Sequence, residues 1–363
     1  MLNRRQLLKK CASLAATIHA MPALVVDKYY QMAVDKIWRP KSTPSSNIAS
    51  LSKEWVRIAA MAASSHNSQP WKFKLQGNLI TIIPDYQHRC PAIDPDDSHL
   101  FKGLGSAAEN LMHAATADGF HADANFDSAH ATVVINVESS KSIKHNNLSA
   151  AIINRRCRRT PYDDKPIIAP VQASIITAAT SADITPLILQ SPQQMEAMLE
   201  YVRQGNPAQF DDRAFVKELR DWVRSNATDA IKTGDGLAGE VGGQPSIPSG
   251  LGRRIFSLIS SGNKQADINA KAIRSSAGII AFVGERDDKA SWVTAGCAYQ
   301  RFALQATARN AFINQAIEAR SLRPQLHAWL GVPQQHVHLI VRYGGEPITP
   351  HSLRRPIEEL VIT

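Results

Sequence analysis

Ser64-Ser65-His66-Asn67-Ser68-Gln69-Pro70-Trp71 is the stretch on which the fold turns. It joins an apolar-periodic run, Leu51 to Ala63, to an alternating run that begins at Trp71, so it lies between a predicted helix and a predicted strand. Asn67 and Gln69 each carry a donor and an acceptor on a planar amide, which can match the imide edge of a polar heterocycle. Pro70 stiffens the exit and Trp71 is a large packing anchor. On these residues alone, a polar helix-to-strand connection with no ligand fits as well.

Outward from this loop, Trp71 to Leu75 and Leu79 to Ile83 read as a hairpin turning at Gly77-Asn78. A helix is expected over Gly105 to Asp118, ended by Gly119, and a strand over Ala131 to Glu138. A similar set follows, with helices at Ala169 to Ala179, Gln193 to Gln204 and Trp292 to Asn310. Its strands are at Ile184 to Gln190, Gly278 to Glu285 and His336 to Gly344. Mixed helix and strand in two comparable halves is an α+β pattern. Thr233 to Gly252 is rich in Gly and Pro and reads as a long mobile loop, either a lid or a surface insertion.

The second informative stretch is Asn154-Arg155-Arg156-Cys157-Arg158-Arg159-Thr160-Pro161-Tyr162. Guanidinium groups this dense repel one another unless an anion gathers them, and their forks match phosphate oxygens. A solvated basic turn is the plain alternative.

Composition narrows the class. The chain has 363 residues, 44% hydrophobic and 20% charged, which suits a folded globular protein. The formal net charge of +9 is concentrated in Arg4, Arg5, Lys9 and Lys10 and in Arg155 to Arg159, so no broad basic surface for nucleic acid is expected. Cys11, Cys90, Cys157 and Cys297 are too scattered for a disulfide framework or a CxxC zinc site. The body carries no apolar run long enough to span a bilayer, so no stable membrane span is expected in the mature protein.

Three weaker signals are set aside. Gly103-x-Gly105-x-x-Ala108 follows Asp94-Pro95-Asp96-Asp97 and not a buried strand, which argues against a dinucleotide site. Cys157 as a nucleophile lacks an assignable partner. His336 and His338 share a strand face, but no carboxylate or Cys follows, and no metal is assigned.

The two stretches together resemble motifs of the nitroreductase family. Members carry a Ser-Ser-x-Asn-x-Gln-Pro-Trp loop on the flavin ring, matched by Ser64 to Trp71, and an Arg-rich segment on the ribityl phosphate, matched by Arg155, Arg156, Cys157 and Arg159. Their order is reversed relative to ordinary nitroreductases. With the His66-Asn67 pair and the run on to Asp164, this resembles the Acg-like subgroup, where two nitroreductase-like halves of one chain imitate the usual dimer. Cys157 departs from the usual hydroxyl. The resemblance implies one bound FMN at the junction of the halves, with Ser65, Asn67, Gln69, Arg155, Arg156, Cys157, Arg159, Ile317, Glu318, Arg354 and Arg355 around it. His66 is the one proton donor nominated near the ring.

Asn3-Arg4-Arg5-Gln6-Leu7-Leu8-Lys9-Lys10, followed by a mild apolar stretch, resembles a twin-arginine signal. It implies export of a folded, cofactor-bearing protein to the periplasm by the twin-arginine machinery. The expected organisation is a signal and tether over 1–38, a first half over 39–150 and a second half over 151–363 with the lid insertion around 225–260. The expected function is an exported FMN-dependent oxidoreductase, a monomer or weak dimer, acting on a small-molecule electron acceptor with an unidentified electron donor. A flavin-sequestering protein without turnover is the alternative.

Overall fold

Two helices of 20 residues each, Ser98–Ala117 and Lys289–Ala308, cross at the centre of the molecule. In the computed structural model the residues described are 27–40, 48–140, 148–242, 246–248, 250, 252, 261–308, 312–314, 323–345 and 349–362. The crossing is set by two glycines. A Cβ on Gly105 would stand 2.0 Å from the Val293 carbonyl oxygen, and one on Gly296 2.0 Å from that of Lys102. Only residues without a side chain let the backbones approach this closely. Ser106 Oγ donates to Gly296 O and Cys297 Sγ to Gly105 O. Beyond them, Gln300 Nε2 donates to Asn110 Oδ1 and Arg301 Nη1 to Glu109 Oε2, both at 2.7 Å. Exchanging Gly105 with Gly296, Ser106 with Cys297, Glu109 with Gln300 and Asn110 with Arg301 turns every one of these contacts into its partner. That is an internal two-fold relation of the kind a homodimer has between its chains.

The strands are β1 Trp71–Gln76, β2 Leu79–Pro84, β3 Phe120–Asp127, β4 Thr132–Ser139, β5 Cys157–Arg158 and β6 Thr185–Leu189. They continue with β7 Val223–Arg224, β8 Leu237–Ala238, β9 Gly278–Gly284, β10 Phe312–Asn314, β11 His336–Gly344 and β12 Val361–Ile362. They form sheets of order β12-β1-β2-β4-β3 and β5-β10-β11-β9-β6, and a small parallel pair β7-β8. Each large sheet has one parallel edge pairing followed by antiparallel ones. The edge arms are exchanged. β5 follows the strands of the first sheet in the chain and lies on β10 of the second, and β12 ends the chain yet lies on β1 of the first. Both arginine-bearing segments ride on these arms, which carries them to the junction of the halves.

Burial follows the pattern of the sequence. Trp55, Trp71, Phe73, Ile82 and Phe101 are sealed in the first core, and Ile280, Phe282, Phe302 and Val341 in the second. β9 is buried along its whole length, so its apolar run shows no alternation. The α+β class and the two halves expected from the sequence describe this architecture.

Some expectations need correction. The tether was drawn to residue 38, but Lys28–Ile37 is a helix capped by the Asp27 carboxylate, and Tyr30, Val34 and Trp38 are buried in the first core. Its period-four apolar stripe was hidden by the weak apolar stretch before it. Thr233 to Gly252 is not a loose loop where it is described. Gly234 ends the helix Ala227–Thr233 in the left-handed region, β8 pairs with β7, and Glu240 and Val241 are buried. Strand β3 and the helices Arg213–Trp222 and Gly262–Arg274 were not expected.

Candidate cofactor and active site

The loop from Ser64 to Trp71 is held in a costly conformation. His66 (φ 50°), Asn67 (φ 55°) and Gln69 (φ 53°) all sit in the left-handed region, which side chains avoid. Such residues cost on the order of 1–3 kcal/mol each and persist only where the surroundings impose them. Here the C-terminal arm does so. Asn67 Nδ2 donates to Leu353 O and its Oδ1 accepts from Arg354 Nη1 at 2.8 Å. Gln69 Nε2 donates to Asn67 O and Gly234 O, and its Oε1 accepts from Arg355 N at 2.9 Å. Both amides are therefore engaged by the protein itself, where the sequence suggested that they read a heterocycle.

Arg354 is the centre of this arrangement. Its Nε donates to Ala60 O, its Nη2 to Met61 O and Ala62 O, and its Nη1 to Leu353 O as well as Asn67. It thus caps the carbonyls left over at the end of the helix Ile48–Ala59. Arg155 Nη2 joins it on Met61 O at 2.7 Å. Arg355 bonds Gln69 O and pairs with Asp85 at 3.2 Å. Burial pushes the Asp85 carboxyl up, but His88, Arg355 and Lys72 outweigh it and hold the group down at about 2.

Two connected spaces open beside this loop. The smaller, about 30 Å³, is lined by Trp38, Ser64, Asn67, Arg155, Arg156, Cys157, Arg159, Val241, His351, Ser352 and Arg354 among others, and by no carboxylate among the described residues. His351 stacks on Trp38 with ring centroids 4.1 Å apart. Burial, then Arg156, Arg155 and Arg354, force its imidazole down to about 2, so it stays neutral. Nε of Arg155, Nε of Arg156 and Nε2 of His351 are buried with no hydrogen-bond partner among the described residues. The buried Nε–H donors of Arg155 and Arg156, in a cationic recess, fit a bound oxyanion.

Ala63, Ser64, Cys157 and Arg159 also line the larger space, a cleft of about 350 Å³. Ser65, His66, His99, Lys102, Tyr299, Leu237, Phe210 and Phe215 are among its walls, again without a carboxylate. Its size is that of a small-ligand site, of order 300–1,000 Å³. Cys157 Sγ lies 3.1 Å from Arg155 Nη1 and 3.6 Å from the Tyr299 hydroxyl. Burial would raise this thiol, yet Arg155, Tyr299 and Arg159 together hold it below its usual value.

Of the residues nominated from sequence, Ser65 and His66 face the cleft. Asn67, Arg155, Arg156 and Arg354 face the recess, and Cys157 and Arg159 face both. Gln69 and Arg355 line neither and support the loop from behind. Ile317 and Glu318 lie outside the described residues. Sequence reasoning missed Trp38, His351, Lys102 and Tyr299; the position of His351 just before the basic pair was the available signal.

No family model matches the chain. It is 26% identical over 323 residues to a Mycobacterium tuberculosis protein named "Putative NAD(P)H nitroreductase Rv3131", covering 84% of this chain and 89% of that one. It is also 26% identical over 181 residues to the uncharacterized protein Rv3127 of the same organism, covering 47% and 52%. Among solved structures, the FMN-dependent nitroreductase NfnB of Mycobacterium smegmatis, in complex with NADPH, superposes with TM-score 0.40 at 12% identity, covering 58% of this chain and 94% of that one. A nitroreductase-like family protein of Bacillus cereus does so with TM-score 0.38 at 14% identity, covering 60% and 96%.

Proposed function

We propose that this protein is an FMN-dependent oxidoreductase of the nitroreductase type, with the flavin phosphate in the arginine recess and the ring in the adjoining cleft. The carrying observation is the recess itself: four arginines, a neutral histidine, no carboxylate among the described residues, and an opening onto a ring-sized cleft. The end-to-end similarity to the mycobacterial protein supports the same reading. When bound, FMN supplies the redox chemistry. The chain's own contribution is to bind, orient and exclude water. Arg156 and Arg159 offer charged donors to the phosphate, while Arg155 and Arg354 shape the recess from the helix end. Lys102 and His99 make the cleft wall electropositive, and His66 is the proposed proton donor. The internal two-fold relation supplies both sides of the site from one chain, which favours a monomer or weak dimer.

The purified protein should be yellow, with an oxidised-flavin spectrum and about one FMN per chain. A colourless protein that takes up no FMN on reconstitution would refute the assignment. The acceptor is a small molecule. The ordered segment over the cleft, with Leu237 in its wall and Val241 buried, favours a second reading in which flavin is held without turnover. Reduction of any nitro or quinone acceptor by the reduced protein separates the two.

Export by the twin-arginine route to the periplasm is part of the proposal and rests on Asn3 to Lys10. Nicotinamide cofactors are not generally supplied there, so NAD(P)H is expected to be a poor donor. Rapid flavin bleaching by micromolar NADPH in stopped flow would overturn that point. Among the described residues no helix is long and apolar enough to cross a membrane.

A further inference from the structure

Behind the cleft wall, three side chains from distant segments converge. His66 comes from the strained loop, Cys90 from the turn after β2, and Glu218 from the helix Arg213–Trp222. Their ligand atoms, one imidazole nitrogen, one thiol sulfur and one carboxylate oxygen, all lie within 4.8 Å of one another, with His66 and Cys90 buried. Glu218 also borders an open outer depression, so the cluster sits in the partition between that depression and the cleft. We propose that it binds one divalent ion of the zinc class and thereby ties the cleft floor to its roof.

The donor set suits such an ion. Nitrogen, thiolate and carboxylate ligands at ~2.0–2.3 Å are those of zinc, and three protein ligands leave a fourth position for water or another group. Around a tetrahedral ion such atoms are roughly 3.5 Å apart, so the cluster closes on the ion with a shift on the order of 1 Å. Thiolate and carboxylate neutralise the double positive charge, which removes the cost of burying it. The carboxylate is also oriented from behind. Ala92 N–H donates to Glu218 Oε2 at 2.8 Å and Ile93 N–H to Oε1 at 3.2 Å, leaving lone pairs on both oxygens. The Ser68 side chain hydrogen-bonds Cys90 in the same supporting way.

The consequence is mechanical. Phe215 and Leu219, on the helix that carries Glu218, wall the cleft. An ion shared with His66 fixes that helix against the loop beneath it. One imidazole nitrogen ligates the ion and the other keeps its hydrogen-bonding role, so in the metal-loaded protein His66 serves as a ligand in place of the proton donor proposed above. The inference does not rest on the flavin reading, because none of the three ligand atoms is needed to hold FMN.

The test uses the full-length protein, stripped with a chelator under reducing conditions and then loaded with Zn²⁺ or Co²⁺, with and without FMN. One equivalent of zinc should survive gel filtration. Cobalt should give thiolate charge-transfer bands and a ligand-field envelope at wavelengths longer than oxidised flavin absorbs. Cys90→Ser should abolish the charge transfer and weaken metal binding by more than about a hundredfold, while Cys157→Ser retains both. Glu218→Gln keeps an acceptor for the Ala92 N–H, so it folds even where Cys90→Ser does not, and it should also lose tight binding. Absence of stoichiometric metal in the wild type, or wild-type metal affinity in both Cys90→Ser and Glu218→Gln, overturns the site. Loss of FMN with metal retained counts against the flavin reading alone.

Discussion

Arg354 and Arg156 border the same recess and live in opposite surroundings. Arg354 is buried, and all three of its guanidinium nitrogens meet carbonyls or the Asn67 amide. Arg156 makes no hydrogen bond or ion pair with the described residues, and burial alone lowers its pKa. An arginine arriving on an exchanged arm becomes structural where the carbonyls that follow a helix await it, and in the proposed reading it is left for the ligand where they do not.

The largest effect should come from the committed member. Arg354→Ala leaves the carbonyls of Ala60 and Ala62 without their donor, while Met61 O keeps Arg155, and it frees the strained loop. Buried groups orphaned in this way cost ~1–3 kcal/mol each, so a loss on the order of 5 kcal/mol is expected. Calorimetry should show Tm lower by on the order of 10 °C or an unfolded product. A variant that melts like the wild type but has lost only flavin would erase the distinction between the two arginines.

Next in size is the pair proposed to hold the phosphate. Arg156→Ala with Arg159→Ala should cut FMN affinity at least about a hundredfold, since charged hydrogen bonds contribute ~1.5–3 kcal/mol each. Melting of the FMN-free protein should change little. Flavin fluorescence titration and calorimetry on the same sample measure both. Unchanged FMN affinity would move the phosphate elsewhere.

How much of this was legible in the sequence follows from the same comparison. The positions of Ser64 to Trp71 and Arg155 to Arg159 at one site were readable, because those motifs are contiguous and chemically dense. Their roles were not, because the partners of Asn67, Gln69 and Arg354 come from the far end of the chain. β3 was missed because His121, Asp123 and Asn125 face outward and only two alanines stand between its inward Phe120 and Phe126, which leaves a weak apolar alternation. The helix Lys28–Ile37 was missed because a basic leader and an apolar stretch dominate what precedes it. The Gly-rich segment read as loose, yet its glycines are used for close contact: Gly236 N donates to Asn67 O, and a Cβ on Gly234 would meet Arg354 O at 2.6 Å. Deleting it would take away part of the loop's support.

A third, smaller effect tests the internal two-fold relation. Gly105→Ala and Gly296→Ala each place a methyl against the opposite helix backbone, where overpacking typically costs ~1–3 kcal/mol. Their losses in Tm should be similar. Gly103→Ala, on the same helix but 3.6 Å from the Trp71 ring, should be neutral or stabilising by ~0.5–1 kcal/mol. Strongly unequal losses at the two crossing glycines would break the symmetry.

The smallest expected effect belongs to His351, which joins the two kinds of arginine. Its folded imidazole is forced from 6.5 to about 2, first by burial and then by Arg156, Arg155 and Arg354. Below pH 6.5 the unfolded chain binds a proton that the folded one refuses, so stability falls as pH drops from about 6.5 toward 2. The slope for this one group approaches ~1.4 kcal/mol per pH unit. Asp85, held from 3.8 down to about 2, adds its own loss only below pH 3.8, while Glu240 and Asp97, both raised by burial, act in the opposite sense, so the histidine is read from the difference between the wild type and a variant without it. His351→Phe keeps a ring on Trp38 and removes the titration, and chemical denaturation from pH 7 to 5 should then lose part of its slope. Bound FMN offers a second route to the same result. A phosphate beside Arg155 and Arg156 offsets the charges that oppose protonation, so FMN-loaded wild-type protein should show a shallower pH dependence than the FMN-free form. Equal slopes with and without FMN would mean that no anion enters the recess next to His351, and the contrast between filled and open arginines would lose its functional meaning.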